Sequence, residues 1–332
     1  MNLKDLIEEI NNDVIDITQT GFEYINTNLV PNRGDNQLTF GRGVTKRGKI
    51  LRSCVLYVDI RNSVALTEKH HTQTMGRIYS AFTKAVLKAA KHHFGHIRNI
   101  IGDRVMIVFP SKNCFVNAVH CAITINHISK NIINKQFKEV DFKCGIGIDY
   151  GDLKVIKVGL QRRNNEGTEN RSLVWVGYPA NIASRLTDAA NKIVTEDYFE
   201  VTRNKINPRA IKPMYALPSK LLLRSPDYDP SAPLYLPDIE TVEVSTEEFA
   251  NNIRSFRDGE LYMLGGKFIK FSKKVREVDY PAILITKKVF DGYKNDNPNG
   301  DDIKNSYWKE QKHNIKNVSG NIFGSMLTWK LT

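Results

Sequence analysis

The sequence has no apolar run long enough to cross a membrane; its longest candidates, residues 55–60 and 282–285, are strand-sized. Near the amino end, Asp5, Glu8 and Glu9 stand where a secretory leader carries basic and then apolar residues. Cysteine is scarce. The four present, Cys54, Cys114, Cys121 and Cys144, show no C-x-x-C spacing, which argues against a disulfide framework or a zinc site and for buried free thiols. A cytoplasmic protein without a membrane partner is expected. Internal repeats at solenoid periods are absent. So is any recognisable nucleic-acid reader motif or aromatic–basic stripe, and no nucleic-acid partner is expected. The net charge of +12 therefore selects an anionic ligand class without naming one.

What the chain does contain is enough apolar residue, 41%, for a substantial core. Leu3, Leu6, Ile7, Ile10, Val14 and Ile17 give residues 1–28 helical spacing. A basic glycine loop follows up to residue 48, and its Gly43 to Lys49 stretch has P-loop spacing without the required Ser or Thr. Residues 55–60 read as a buried strand, and apolar positions from Ala65 to Ala89 as a helix broken near Thr72. Residues 97–101 and 105–109 read as a hairpin turning at Gly102-Asp103. A helix over 117–133 and strands over 142–148 and 152–158 complete the pattern. Strand, helix, strand, strand, helix, strand is the ferredoxin-like arrangement of an α+β domain. Four segments are expected: an N-terminal helix and loop (1–48), a catalytic core (49–190), a late insertion (191–279) and closing strands (280–332). Seven prolines between residues 205 and 245 predict an irregular course for the insertion.

Asp59 closes an apolar strand and Asp103 sits on the hairpin turn. In this topology the first and third strands are neighbours, so both carboxylates can meet at one sheet end. Close carboxylates repel unless cations lie between them, and two-metal sites serve phosphoryl transfer. Just after the strand, Ile60 to Ser63 opens a helix whose free N–H groups suit phosphate oxygens. Further on, Asn181 and Arg185 lie four residues apart on the helix that Pro179 opens, presenting an amide and a guanidinium side by side.

These residues fall into four ordered motifs: Asp59-Ile60, Ile101-Gly102-Asp103, Gly145-Ile-Gly147-Ile-Asp149-Tyr-Gly151, and Gly177-x-x-x-Asn181-x-Ala183-x-Arg185-Leu186. Together they resemble the class III nucleotide cyclases, the family of adenylate and guanylate cyclases, over about residues 50 to 190. The resemblance implies that Asp59 and Asp103, with the Ile60 carbonyl, bind two Mg²⁺ or Mn²⁺ ions. It also implies in-line attack of the ribose 3′-oxygen on the α-phosphorus, with Asn181 orienting the ribose and Arg185 stabilising the transition state. Family members are dimers with the site between subunits, which implies a homodimer here. Asn62 and Ser63 then face the triphosphate, and Lys316 falls where the family often has a triphosphate lysine.

The family's two base-selecting positions hold Asn99 and Val174, which match neither the adenine nor the guanine pattern. Valine cannot pair with a base edge. Strand alternation puts Tyr57 on the same side as Asp59, where it narrows the pocket. A small pocket with one amide suits a pyrimidine, UTP or CTP. The sequence is similar to the bacterial anti-phage pyrimidine cyclases of Pycsar systems. That resemblance implies a second messenger, cyclic UMP or cyclic CMP, read by a separate effector in antiviral defence. A purine cyclase with an unusual pocket and an inactive nucleotide-binding module are the competing readings.

Overall fold

Alternation builds the central strand: Cys54, Leu56, Val58 and Ile60 are buried against one layer of helices, while Leu51, Val55 and Tyr57 belong to the cluster on the other face. The computed structural model describes residues 2–138, 140–159, 171–210, 228–255, 261–263, 265–311 and 315–331. Its chain forms two units, Met1–Lys192 with Asp279–Thr332, and Ile193–Val278.

The first unit begins with α1 (Leu3–Gln19), β1 (Phe22–Thr27), β2 (Lys46–Ile60), α2 (Ser63–Lys69) and α3 (Thr72–His92). It continues through β3 (His96–Ile101), β4 (Arg104–Val108), α4 (Cys114–Ile128), α5 (Asn134–Gln136), β5 (Cys144–Gly159), β6 (Arg171–Val176) and α6 (Tyr178–Ala189). The second unit contributes β7 (Ile193–Ile206), β8 (Tyr235–Ser245), α7 (Thr246–Asn252), β9 (Ile253–Ser255), β10 (Leu261–Met263) and β11 (Gly266–Asp279). The chain then returns to the first unit as β12 (Ile283–Thr286), α8 (Lys287–Asp296), α9 (Asp301–Lys304), β13 (Lys309–Glu310) and β14 (Ile322–Ser325).

In the first unit the strand order β13-β14-β12-β5-β2-β4-β3 contains the ferredoxin-like run β5-β2-β4-β3, with β2 antiparallel to both β4 and β5. Side chains of α3, α4 and α8 supply the core on the face of Leu56 and Ile148. On the opposite face lies α6. It comes so close at Gly147 that a Cβ there would collide with the Ala183 carbonyl oxygen, so only glycine fits. The helix break at Thr72 and the Gly102 turn, with φ at +60°, follow the sequence expectation. All four cysteines are free and buried.

Three expectations are corrected. The first helix ends at Gln19, because the aromatic and β-branched Phe22–Thr27 pairs in parallel with Lys46–Leu51. Residues 142–148 and 152–158 are not two strands. One strand, β5, keeps unbroken register with β2 from Cys144 to Val155, and Gly151 passes through without turning. The Pro-rich stretch is not irregular throughout, since the second unit is a five-stranded sheet of order β8-β7-β11-β10-β9. Pro237 is accommodated because β8 is an edge strand, where a missing N–H costs no ladder bond. Pro213, Pro218 and Pro226 lie outside the described residues, as do Arg162 and Arg163. Val201, Val244 and Phe249 form the small core of this unit. Among the described residues, no helix is long and apolar enough to cross a membrane.

Candidate active site

At the end of β2, Asp59 pairs in register with Gly145, and its side chain is 14% exposed. Asp103 stands on the β3–β4 turn beside it. Burial first, and then the negative charge of Asp59, push the Asp103 carboxyl above its usual range, while a hydrogen bond from Ser63 opposes the shift. The two carboxylates and Ser63 thus meet as expected from the topology. Asn62 precedes α2 with φ at 55°, a left-handed conformation that asparagine tolerates. The donor set fits Mg²⁺ or Mn²⁺. It consists of hard carboxylate oxygens, and no group of three or more His, Cys, Asp or Glu residues occurs among the described residues to favour a closed protein cage. Magnesium in particular is held by one or two carboxylates plus substrate phosphates.

One participant was not anticipated. Arg104, next to Asp103, donates through Nη2 to Asp59 Oδ2 at 2.7 Å and to Asp188 on α6, and through Nη1 to Ser184 Oγ at 3.0 Å. Burial opposes its charge, but the carboxylates of Asp59 and Asp188 outweigh that and raise its pKa. Arg104 is therefore the counter-ion of Asp59, and it ties the β2 end to α6. A cation bound at Asp59 would compete with this pair for the carboxylate charge. Arg104→Ala is expected to tighten Mn²⁺ binding on the order of fivefold by titration calorimetry, since a competing cation is removed. The same change is expected to lower the melting temperature measured in chelator, where Asp59 loses its partner. A metal affinity unchanged or weakened by the substitution contradicts this competition.

On α6, Pro179 occupies the first turn, and Ile182, Ala183 and Leu186 are buried. Asn181 and Arg185 lie exposed, next to the Ser184 and Asp188 that Arg104 grips. Across β3, β4 and β2 the register aligns Asn99, Met106 and Tyr57 on one row, two strand spacings or about 10 Å wide. Tyr57 is half-buried, and burial raises its phenol pKa while the nearby Arg104 charge lowers it. Val174 does not join this row. It pairs with Ile156, whereas its neighbour Trp175 pairs with Val155 and packs with the cluster that contains Tyr57 and Met106. Strand alternation therefore turns Val174 to the other side. Arg98 lies over the Trp175 ring at 5.7 Å, beside a cavity of about 230 Å³.

Lys316 is exposed on the turn before β14. Its loop reaches the start of α6, where Ser319 Oγ is 3.0 Å from the Tyr178 hydroxyl. Because Thr286 on β12 pairs with Ile322, this loop lies three strands across and about four residues along β5 from Asp59. That separation is on the order of 20 Å. A single chain does not bring Lys316 to the carboxylate pair. A cavity of about 450 Å³ opens beside the loop, with buried Asp149 at its wall. Asp149 accepts a 2.7 Å hydrogen bond from Thr286, and burial raises its pKa.

No family model matches the chain. It is 30% identical over 198 residues to the uridylate cyclase of Burkholderia cepacia, covering 57% of this chain and 81% of that protein. Over 182 residues it is 27% identical to the uridylate cyclase of Gulbenkiania mobilis, covering 51% and 66%. The cytidylate cyclase of Staphylococcus aureus is 26% identical over 118 residues, 33% of this chain and 28% of that protein.

Proposed function

This chain belongs to the pyrimidine branch of the class III nucleotide cyclases, and from that membership we propose that it closes UTP to 3′,5′-cyclic UMP in a site completed by a second copy of itself. The reaction forms a bond from the ribose 3′-oxygen to the α-phosphorus and breaks the bond to the β-phosphate bridging oxygen. Pyrophosphate leaves, and the 3′-hydroxyl proton passes to solvent. The observation that carries the reading is the meeting of Asp59 and Asp103 at the end of β2, with Asn181 and Arg185 left exposed on α6.

Asp59 and Asp103, with the Ile60 carbonyl, would hold two Mg²⁺ or Mn²⁺ ions, which would supply positive charge to the attacking oxygen and the triphosphate. Asn62 and Ser63, at the opening of α2, receive phosphate oxygens. Asn181 holds the ribose and Arg185 faces the charge that builds on the α-phosphoryl group. Lys316 steadies the triphosphate tail. The distance from Lys316 to Asp59 within one chain, and the exposure of Asn181 and Arg185, support a homodimer in which each site draws its carboxylates and its α6 groups from different copies. Tyr57 limits the pocket to a pyrimidine, with Asn99 at the base edge. Val174 faces away from that pair within one chain, so it reaches the pocket only with α6 of the second copy, where it offers the base no hydrogen bond. The cyclic nucleotide is released in the cytoplasm as a second messenger for a separate effector of antiviral defence, a reading supported by the family resemblance alone.

Purified protein incubated with ATP, GTP, CTP and UTP and Mn²⁺ tests the substrate, with products read by mass spectrometry. Cyclic UMP is the expected main product. Cyclic CMP as the main product moves the assignment to CTP, a purine product overturns the pocket reading, and no cyclic product from a verified dimer leaves a nucleotide-binding module.

A further inference from the structure

The cavity of about 230 Å³ between β3 and β6 is lined by Arg33, Ile97, Arg98, Ser172, Leu173 and Trp175. Its polar side chains offer donors, two guanidiniums, an indole N–H and a hydroxyl, and no carboxylate stands among the described lining residues. A register shift on the edge strand β3 builds it. Ile97 pairs with Ile107 and packs on the helix-side core, whereas Asn99 pairs with Met106 of the opposite cluster. Arg98 is the extra residue between them. Such a bulge re-aims a side chain, and Arg98 swings over the Trp175 ring at 5.7 Å, on the face of Met106. The arrangement leaves the Arg98 Nε–H and the Trp175 Nε1–H buried, with no acceptor among the described residues. Arg98 makes one bond, from Nη1 to the Ile97 carbonyl at 3.2 Å. Burial lowers its pKa, and no neighbouring carboxylate offsets that shift. Buried donors and an uncompensated cation are costly unless something brings acceptors and negative charge.

We propose that this cavity binds a phosphate group, held between the guanidiniums of Arg33 and Arg98 with the Trp175 N–H as a third donor. Guanidinium forks match phosphate oxygens in pairs. Size restricts the ligand. Pockets for drug-sized molecules begin at roughly 300 Å³, so this one takes the phosphate group and not a whole nucleotide. A pyrimidine ring suits the lining less well: its own N–H or amino donors meet no carboxylate, and it carries no charge to offset two cations. The group is either free phosphate or the phosphate of a nucleotide whose remainder lies outside the cavity. This site is distinct from the carboxylate pair of Asp59 and Asp103 and does not depend on the reaction proposed there.

Titration calorimetry of the full-length chain, in chelator and without sulfate, tests this in the absence of turnover. Inorganic phosphate, UMP and uridine are titrated in turn. The parent chain is expected to bind phosphate or UMP but not uridine. Arg98→Met is expected to weaken that binding about tenfold or more, through loss of a charged donor pair. Arg33→Ala, at an exposed position where folding is not at stake, is expected to weaken it about threefold or more. Trp175→Phe keeps a ring under Arg98, removes only the N–H, and is expected to cost about threefold. Binding of inorganic phosphate with these losses identifies a free-anion site, and binding of UMP alone with the same losses identifies a nucleotide's phosphate. Uridine bound as tightly as UMP overturns the proposal. So does a parent chain that binds neither phosphate nor UMP at millimolar concentration, or an affinity left unchanged by both Arg33→Ala and Trp175→Phe.

Discussion

Asp59→Ala is expected to lower cyclic nucleotide formation on the order of a thousandfold or more, because it removes one of the two carboxylates proposed to organise charge at the reacting phosphoryl group. The effect on folding is expected to be small. Asp59 is not a packing residue: its side chain accepts from Arg104, which retains Ser184 and Asp188 after the change. Its loss also relieves Asp103 of a neighbouring negative charge, so the Asp103 carboxyl shifts back toward its ordinary range. Circular dichroism and sedimentation should match the parent chain while product, read by mass spectrometry, falls to background. Turnover within tenfold of the parent would remove Asp59 from the site, whatever holds the metal.

Arg185→Ala is expected to be nearly as damaging by itself and to be rescued by mixing with Asp59→Ala. Arg185 is exposed on α6 and forms no ion pair among the described residues, so its deletion reads chemistry rather than stability. In a mixed dimer, one site carries both lesions and the other carries none. Random exchange of equal amounts should restore about a quarter of the parent activity, since half the dimers are mixed and each has one intact site. The measurement is initial rate after co-incubation, against each variant alone. Activity that stays at the level of the single variants places Asp59 and Arg185 in the same chain's site.

Much of this was legible from local spacing. Alternation placed Tyr57 and Asp59 on one side of a strand, Gly102-Asp103 announced the turn, and four-residue spacing set Asn181 beside Arg185; the structure keeps all three. Each depends only on backbone geometry repeated over two to four residues, which a sequence carries in full. Arg104 escaped because its partners Asp59 and Asp188 are remote in the chain, and a basic residue beside a turn looks like any solvated one. Val174 was aligned by its count from Asn181, but the side of the sheet it faces is decided by the β5–β6 register. Prolines predicted an irregular insertion because edge and centre of a sheet are indistinguishable before the strands are paired.

The sequence by itself pointed to the reaction class, through two carboxylates, an amide and a guanidinium whose roles are those that the resemblance to class III cyclases implies. Only the tertiary structure placed Asp59 in the grip of Arg104 at one end of a strand and the loop of Lys316 beside the start of α6. The physical reason is reach. Periodicity fixes which way a side chain points, whereas charge pairing and a shared site depend on distances between elements that only packing sets.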